Sequence, residues 1–314
     1  MRYLKFSVFP GPSIPASLGV IRPPFLILVP VSVGLGWAVA ENSGASIDYL
    51  HLLLVLLGAL AAHVSVNALN EYEDFHSGLD LVTQRTPFSG GSGILPAYPE
   101  RARQALLISV ISLLFVVAVG AYFLWVSGLG LLPLGVAGIL TIVLYTRWLT
   151  RSPLLCLIAP GLAFGPLMVM GTCFVLTGRY SMAALWASLP VFFLVSNLLL
   201  LNQFPDREAD QSVGRNHLLI AWGSRAGIWV YSVFLAAAYL SVVFAVLVQA
   251  IPITALLALS TIPLAVITVR GVIRYHNDTA ALVPYMARNV LLTLATPALL
   301  AVGVAIPVLR SSTF

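Results

Sequence analysis

Nine apolar stretches follow one another along the chain, separated by short segments that contain charged residues, glycine or proline. A helix needs about 20 apolar residues to cross the hydrocarbon core of a bilayer, and each stretch is close to that length. Because little chain remains between the stretches, they predict one helical bundle. We expect an all-α, polytopic membrane protein of about nine transmembrane helices, with residues 1–314 as a single domain. The predicted spans are 20–40, 49–69, 104–126, 129–146, 154–177, 182–203, 226–249, 251–270 and 286–308.

The composition supports this interpretation. Hydrophobic residues make up 60% of the sequence and charged residues only 9%, against roughly a quarter charged in soluble domains. The net charge of +5 comes without a Lys/Arg run or interleaved aromatic residues, so we expect no nucleic-acid partner. Cys156 and Cys173 both lie within apolar stretches and are expected to be packing residues.

The basic residues indicate the orientation of the chain in the membrane. When nine spans are threaded through a bilayer, all of the 16 Lys and Arg residues except Arg179 and Arg310 fall on one side. Cytoplasmic loops carry an excess of Lys and Arg, so this side is expected to face the cytoplasm. The sequence therefore predicts a multi-pass protein of the cell inner (plasma) membrane with its N-terminus inside. The same threading places two acidic segments, 70–80 and 202–210, on the cytoplasmic side.

The first acidic segment runs directly off the second apolar stretch. If the helix continues through it, Asn70 and Asp74 lie one turn apart on one face, with Asn67 a turn earlier and Glu71 beside them. Asp80 follows shortly afterwards. These side chains would form a row of hard oxygen ligands.

The second acidic segment begins with Asn202 and follows the sixth apolar stretch. Asp206 and Asp210 repeat the one-turn spacing of the first segment. Pro205 suits the first turn of a new helical stretch or a kink. Both rows are expected to face one cavity on the cytoplasmic side of the bundle.

Carboxylates near the membrane need compensation, since each costs about 2.5–3.5 kcal/mol on insertion scales and clustered like charges repel further. Mg²⁺ prefers carboxylate, carbonyl and water oxygens and commonly shares them with substrate phosphates. Two carboxylate rows facing one cavity therefore favour a diphosphate bridged by Mg²⁺. For a single acidic segment, solvated charges beside the membrane would be the simpler interpretation, but two matched rows favour the metal.

The stretch between spans two and three, 81–93, is too rich in glycine to be a span. Its glycines allow backbone N–H groups to approach phosphate oxygens, and Arg85 could add a bidentate contact, so the stretch is a candidate cap over the site. A simple connector is the alternative. Arg22 and Arg215 are further candidates for substrate phosphate, although anchoring at the interface or membrane topology would also explain them.

Three ring side chains carry polar groups that could serve the same site. Tyr145 ends the fourth span on the cytoplasmic side, where a tyrosine is by default an interfacial residue. His63 and His76 lack a metal-ligand partner at useful spacing, so neither is assigned a role.

These segments resemble the signatures of the UbiA superfamily of intramembrane prenyltransferases, which are nine-helix bundles. The sequence N-E-Y-E-D at 70–74, followed by G-x-D at 78–80, is similar to the motif after helix two in the dihydroxynaphthoate (menaquinone-type) branch. D-R-E-A-D at 206–210 is similar to the second motif, after helix six. Arg22-Pro23 and the stretch 164–172 resemble the helix-one and helix-five sequences of that branch.

The resemblance implies Mg²⁺-dependent transfer of a polyprenyl group from polyprenyl diphosphate to an aromatic acceptor. As the diphosphate leaves, an allylic carbocation develops near an electron-rich ring, and the acceptor then loses a proton or carbon dioxide. The prenyl tail would lie among apolar helices, with an opening to membrane lipid. The implied metal ligands are Asn70, Asp74, Asp206 and Asp210, with Glu71 and Asp80 added. Catalysis is assigned to Asp74, Asp206 and Tyr145, and substrate binding to Arg22, Asn67, Arg85, Asn202 and Arg215.

The expected acceptor is 1,4-dihydroxy-2-naphthoate, in menaquinone biosynthesis. Residues 159–162 lack an acidic residue that the branch often carries, and 215–217 replace its common Lys-Arg-Thr, so 4-hydroxybenzoate or another quinone or lipid precursor is the alternative. An ion-coupled secondary transporter is the alternative of another class, because intramembrane carboxylates also serve carriers. The position of the acids at helix ends, and the near absence of charge in mid-span, weigh against a carrier.

Overall fold

The computed structural model describes residues 19–311, and nine helices account for most of that part of the chain. Eight of them, including their 3₁₀ extensions, are long and apolar enough to cross a membrane, while α4 with its extension, Leu129–Leu144, is shorter. Residues 1–18, whose cytoplasmic location was predicted, lie outside the described part. The helices are α1 Leu28–Asn42, α2 Tyr49–His76, α3 Ala102–Ser127, α4 Leu132–Leu144, α5 Pro153–Thr177, α6 Met182–Ser212, α7 Leu218–Leu247, α8 Ile262–Tyr275 and α9 Thr279–Ser311.

The all-α, multi-span prediction is confirmed, and the differences lie at the helix ends. Helix α2 continues through the first acidic segment to His76, and α6 continues through the second to Ser212. Pro205 lies inside α6 and does not begin a new helix. Helix α7 begins at Leu218, before the predicted 226, but Gly223 interrupts it at φ 81° and ψ 168°, a conformation that glycine adopts without strain.

Helix α5 changes its pitch midway along its length. Between two α-helical parts, Ala163–Met170 form a π-helical segment. Pro160 and Pro166 lie in or just before this segment, and each lacks the N–H that a regular helix would use. Because π segments shift the direction of the following side chains and occur often at functional sites, this part of α5 has the geometry of a cavity wall.

Two glycines set the close contact between α5 and α6. A Cβ atom on Gly161 would lie 2.3 Å from the Phe192 carbonyl oxygen, and one on Gly165 would lie 2.8 Å from the Ser188 carbonyl oxygen. Small residues spaced by four let membrane helices approach to backbone contact, which stabilises them in the absence of a hydrophobic driving force. This pair fixes α5 on α6, the helix that carries the second acidic segment.

The buried core surrounds α6. One apolar cluster joins α1, α5, α6, α7 and α9 around Leu35, Val195 and Leu300, and a second joins α6 to α7, α8 and α9 around Leu201 and Tyr231. Helix α3 is different, because many of its large apolar side chains are exposed, as expected of a surface that faces lipid. A cavity lies between this outer part and the core, lined mainly by α2, α3, α4 and α5.

Candidate active site

A polar cavity of about 120 Å³ lies where α2 and α6 carry their acidic segments. The continuation of both helices brings the two rows to one place, as their spacing predicted. The roles of these residues stay predictions, but their location together is a property of the fold. The predicted site residues that line the cavity are Arg22, Asn70, Asp74, Asp80, Tyr145, Asn202, Asp206, Asp210 and Arg215.

Arg215 joins the two acidic rows. One of its terminal nitrogens forms an ion pair with Asp74 on α2, and the other lies 2.8 Å from Asp210 Oδ1 on α6. His217 Nε2 lies 3.1 Å from the second oxygen of Asp210. Burial alone would lower the pKa of Arg215, but the charges of Asp74 and Asp210 outweigh it and raise that pKa above its usual value. The guanidinium therefore stays charged between the two carboxylates.

Asn70 and Asp74 form the expected one-turn pair along α2. The Asn70 amide nitrogen donates to Asp74 Oδ2 at 2.9 Å and to Thr146 Oγ1 at 3.2 Å. Its amide oxygen accepts from Arg22 Nη2 at 3.0 Å. These three bonds fix the direction of the amide. Asn70 on α2 thus connects Thr146, just after α4, to Arg22, which precedes α1.

Glu71 faces away from the row formed by Asn70 and Asp74. Its carboxylate is fully buried and accepts from Arg22 Nε at 2.7 Å, from the Ser92 backbone N–H at 2.7 Å and from Ser92 Oγ at 2.5 Å. Glu71 is not among the residues that line the polar cavity. Arg22 has φ 52° and ψ 63°, a left-handed conformation that is unusual for a non-glycine residue, and the bonds to Glu71 and Asn70 stabilise it there.

The glycine-rich stretch folds over the site. Gly90, Gly91 and Gly93 all have positive φ, and a Cβ atom on Gly91 would lie 2.7 Å from Asp80 Oδ1. Ser89 Oγ donates to Asp206 Oδ1 at 3.1 Å, while Ser92 binds Glu71. The stretch thus contacts both acidic segments, the position expected of a cap.

Of two predicted site residues near this stretch, Arg85 lies outside the polar cavity and Asp80 lines it. Arg85 is exposed and donates to the Asp80 carbonyl oxygen at 3.1 Å, and it does not line the polar cavity. Asp80 lines the cavity, and its Oδ2 is buried without a hydrogen-bond partner within the described residues. Burial, followed by the negative charges of Glu71 and Asp74, raises the pKa of Asp80 to about 7.

An apolar cavity of about 360 Å³ adjoins the polar one. It extends along α2 from Asn70 to Val55, 15 residues or about 22 Å at 1.5 Å per residue. Asn67, predicted to bind substrate, lines this cavity and not the polar one, and its amide nitrogen donates to the Ile21 carbonyl oxygen at 3.0 Å. The residues that line both cavities are Arg22, Asn70, Tyr145 and Leu199.

Several residues that line the polar cavity were not predicted from the sequence. Gln203 lines the polar cavity and donates to Cys156 Sγ at 3.3 Å, so this cysteine is buried as expected but lies at the site. His217 and Thr150 also line it. Gln203 could have been found from its place in the second acidic segment, whereas Thr150 and Cys156 carry no signal in the sequence, because only folding brings them there.

The donor set fits Mg²⁺ shared with a diphosphate. Within residues 19–311, no group of three or more His, Cys, Asp or Glu side chains is arranged to hold a metal ion on its own. Mg²⁺ does not require such a group, because it keeps several waters and binds through one or two carboxylates plus substrate phosphates. Carboxylates from both segments, the amides of Asn70 and Gln203 and the unpartnered Asp80 Oδ2 supply oxygen donors of the right kind.

Comparison with known proteins identifies the family. The UbiA prenyltransferase family model matches residues 27–305. A 1,4-dihydroxy-2-naphthoate octaprenyltransferase from Bacillus subtilis is 26% identical over 252 residues, 78% of each chain. A solved digeranylgeranylglyceryl phosphate synthase has a TM-score of 0.66 at 15% identity, covering 93% of this chain and 98% of that one. A UbiA homolog from Archaeoglobus fulgidus, bound to GPP and Mg²⁺, has a TM-score of 0.59 at 16% identity, covering 91% and 99%. The chain therefore belongs to the UbiA prenyltransferase family and is a multi-pass membrane enzyme of the prenyltransferase class.

Proposed function

We propose that the protein transfers a polyprenyl group from polyprenyl diphosphate to an aromatic acceptor in a Mg²⁺-dependent reaction. The observation that carries this proposal is the junction of the two cavities at Arg22, Asn70, Tyr145 and Leu199. The polar cavity, which carries the carboxylates, suits a diphosphate head, and the apolar cavity next to it suits a hydrocarbon tail. Together they match a prenyl diphosphate. The bond to be broken would lie at the junction.

The polar chamber binds the diphosphate in this proposal. Asn70, Asp74, Asp206 and Asp210 would hold Mg²⁺, which neutralises charge on the leaving diphosphate when bound. Arg215, which pairs with carboxylates from both segments, would turn to a phosphate oxygen once those carboxylates hold the metal. The Ser89–Ser92 part of the cap would close the chamber, since it already contacts both acidic segments.

The apolar chamber protects the developing cation from water. Most of its lining is aliphatic, aromatic or glycine, which leaves few groups to hold a water beside the cation. Tyr145 lies at the junction, where it would orient the acceptor ring beside the reacting carbon. The ring forms the new carbon–carbon bond as the carbon–oxygen bond to diphosphate breaks, and then releases a proton or carbon dioxide.

The first choice of acceptor is 1,4-dihydroxy-2-naphthoate, for menaquinone biosynthesis. The sequence motifs and the relative from Bacillus subtilis support this choice. The alternative is 4-hydroxybenzoate or another quinone precursor. We place the protein in the cell inner membrane with the active site on the cytoplasmic side, because the basic residues concentrate on the side of the acidic segments. We treat the chain as one prenyltransferase domain.

A reconstituted reaction tests the proposal. Purified protein in detergent, given Mg²⁺, labelled polyprenyl diphosphate and either acceptor, should yield a lipophilic product and release diphosphate, and EDTA should stop the reaction. Asp74→Asn and Asp210→Asn should each lower turnover at least about 100-fold, as loss of preorganised charge stabilisation does. The matched control is Glu100→Gln, an exposed carboxylate outside both cavities.

The contradicting outcomes are specific. Wild-type turnover in both aspartate variants would refute the assignment of the metal ligands, whatever the product. Substrate flux in proteoliposomes without product formation would favour the transporter alternative and refute prenyl transfer.

A further inference from the structure

His63 is a polar side chain in the wall of the apolar cavity. It lies on α2 seven residues before Asn70, about 10 Å deeper along the helix axis at 1.5 Å per residue. The residue is 7% exposed, and its ring nitrogens form no hydrogen bond within residues 19–311. Buried polar groups normally have a partner, so an imidazole in a cavity wall whose accessible nitrogen is unpaired offers a bonding site to a molecule in the cavity.

The surroundings of the ring leave one nitrogen available. Nδ1 is enclosed by protein, so a molecule in the cavity can reach only Nε2. The ring packs edge to face on Phe164, with centroids 4.9 Å apart and planes at 76°. Phe164 belongs to the π-helical segment of α5, so the change of pitch in that helix places this aromatic ring against His63.

Asn67 supplies the complementary group one turn away. Its amide nitrogen donates a hydrogen bond to the Ile21 carbonyl oxygen. The amide oxygen has no donor among the described residues and is therefore free to accept one. His63 and Asn67 are four residues apart on α2 and therefore share a face, and both line the cavity. The cavity wall thus presents an acceptor at Asn67 Oδ1 on the same face as His63 Nε2, which is a donor in the Nε2–H tautomer.

We propose that His63 and Asn67 bind a hydroxyl group of the aromatic acceptor. A hydroxyl donates one hydrogen bond and accepts others, so it pairs with both groups at once, donating to Asn67 Oδ1 and accepting from His63 Nε2–H. A prenyl tail has no such group and cannot pair with either. With its hydroxyl held here, the acceptor ring lies beside Phe164, and its attacked carbon, only a few ångströms from that hydroxyl, lies about one helical turn below Asn70, where the prenyl group enters the apolar cavity. The inference rests on the proposed function and adds the acceptor subsite to it.

Two substitutions separate this role from simple packing. His63→Phe keeps an aromatic ring on Phe164 but removes the donor, whereas His63→Gln keeps a donor at similar length. The matched control is Thr268→Val on α8, a fully buried hydroxyl that donates to its own helix at the Leu264 carbonyl and lies outside both cavities. The probes are 1,4-dihydroxy-2-naphthoate and its two mono-O-methyl ethers, which keep an electron-rich ring but each lose one hydroxyl proton.

The expected result is a change confined to the acceptor. His63→Phe should raise the KM for dihydroxynaphthoate about tenfold, as loss of one buried hydrogen bond does, and leave the KM for polyprenyl diphosphate within about twofold. His63→Gln should restore most of the loss, and Thr268→Val should resemble wild type. One methyl ether should react about tenfold more slowly with wild type, and the His63→Phe variant should no longer distinguish that ether from the parent.

Other outcomes overturn the inference. An unchanged acceptor KM in His63→Phe, an equal rise in both KM values, or an ether preference that survives in this variant would each refute the hydroxyl subsite. Direct binding of dihydroxynaphthoate can be measured from the quenching of tryptophan fluorescence, which gives a readout that does not need turnover. Weaker binding in His63→Phe would support the subsite even if wild type formed no product, whereas that lack of product would count against the proposed function.

Discussion

Replacing Glu71 with glutamine separates the two roles that its place in the motif allows. As a metal ligand, Glu71 would contribute to Mg²⁺ affinity. As the partner of Arg22 and Ser92, it would instead hold Arg22 in its left-handed conformation at the junction of the cavities. Glutamine keeps the shape and one acceptor oxygen but removes the negative charge that faces the guanidinium.

The structure sets the size of the expected effect. Breaking a buried ion pair by removing one partner costs about 3–5 kcal/mol. Arg22 loses less, because its side chain is 24% exposed and keeps its bond to the Asn70 amide oxygen at 3.0 Å. Glutamine keeps a hydrogen bond to Arg22, so the better measure is the difference between a charged bond, about 1.5–3 kcal/mol, and a neutral one, about 0.5–1.5 kcal/mol. That difference, about 1–1.5 kcal/mol, should raise the KM for polyprenyl diphosphate roughly 5- to 12-fold at 1.4 kcal/mol per factor of ten.

Initial rates over a range of polyprenyl diphosphate concentrations give its KM, and a Mg²⁺ titration at saturating diphosphate then separates the two roles. Glu71→Gln should keep the half-saturating Mg²⁺ concentration within about twofold of wild type, whereas Asp74→Asn should raise it by about tenfold or more, as loss of a ligand in direct contact with the metal does. Glu100→Gln controls for the loss of a negative charge elsewhere. If Glu71→Gln shifted the Mg²⁺ dependence as far as Asp74→Asn, Glu71 would be a metal ligand and the argument from its hydrogen bonds would be wrong.

Three further substitutions test other parts of the site. Arg215→Gln removes the cation between the buried carboxylates of Asp74 and Asp210, so the metal-free protein should melt at a lower temperature and Mg²⁺ should stabilise it more than it stabilises wild type. Equal Mg²⁺ shifts in a thermal melt in detergent would contradict this. Ser89→Ala removes the 3.1 Å bond between the cap and Asp206 and should lower kcat/KM about 2- to 10-fold in the transfer assay, so an unchanged value would refute the cap. Gly138→Leu should keep the protein folded, because a Cβ atom there meets no other atom within 4 Å, but should lower turnover of long prenyl diphosphates more than of short ones when a series of tail lengths is compared. An equal loss at every tail length would place the tail elsewhere.

The spans and the two acidic rows could be predicted because each depends on local spacing. A stretch of about 20 apolar residues has to cross the membrane, and residues four apart share a face only if the helix continues. Helices α2 and α6 do continue, so Asn70 and Asp74 fall in one row, and Asp206 and Asp210 in the other.

The direction of Glu71 could not be predicted in the same way. Its partners Arg22 and Ser92 are 49 and 21 residues away, and they reach it through a left-handed residue and a loop of glycines with positive φ. The position of His63 could not be predicted from the sequence either. Without metal-ligand spacing it had no signal in the sequence, and only the fold shows that His63 lines the apolar cavity and packs on Phe164.

The structure also changes the argument that carboxylates near the membrane require magnesium. Arg215 already compensates part of their charge by pairing with Asp74 and Asp210, so compensation alone does not identify a metal site. The imbalance does. Asp80 and Asp206 line the same chamber without an ion-pair partner among the described residues, while the charge of Arg22 is taken by Glu71. Above the pKa of Asp80, about 7, the cavity carries an excess of negative charge that repels a diphosphate, so in the proposed reaction the substrate would enter together with, or after, divalent cations.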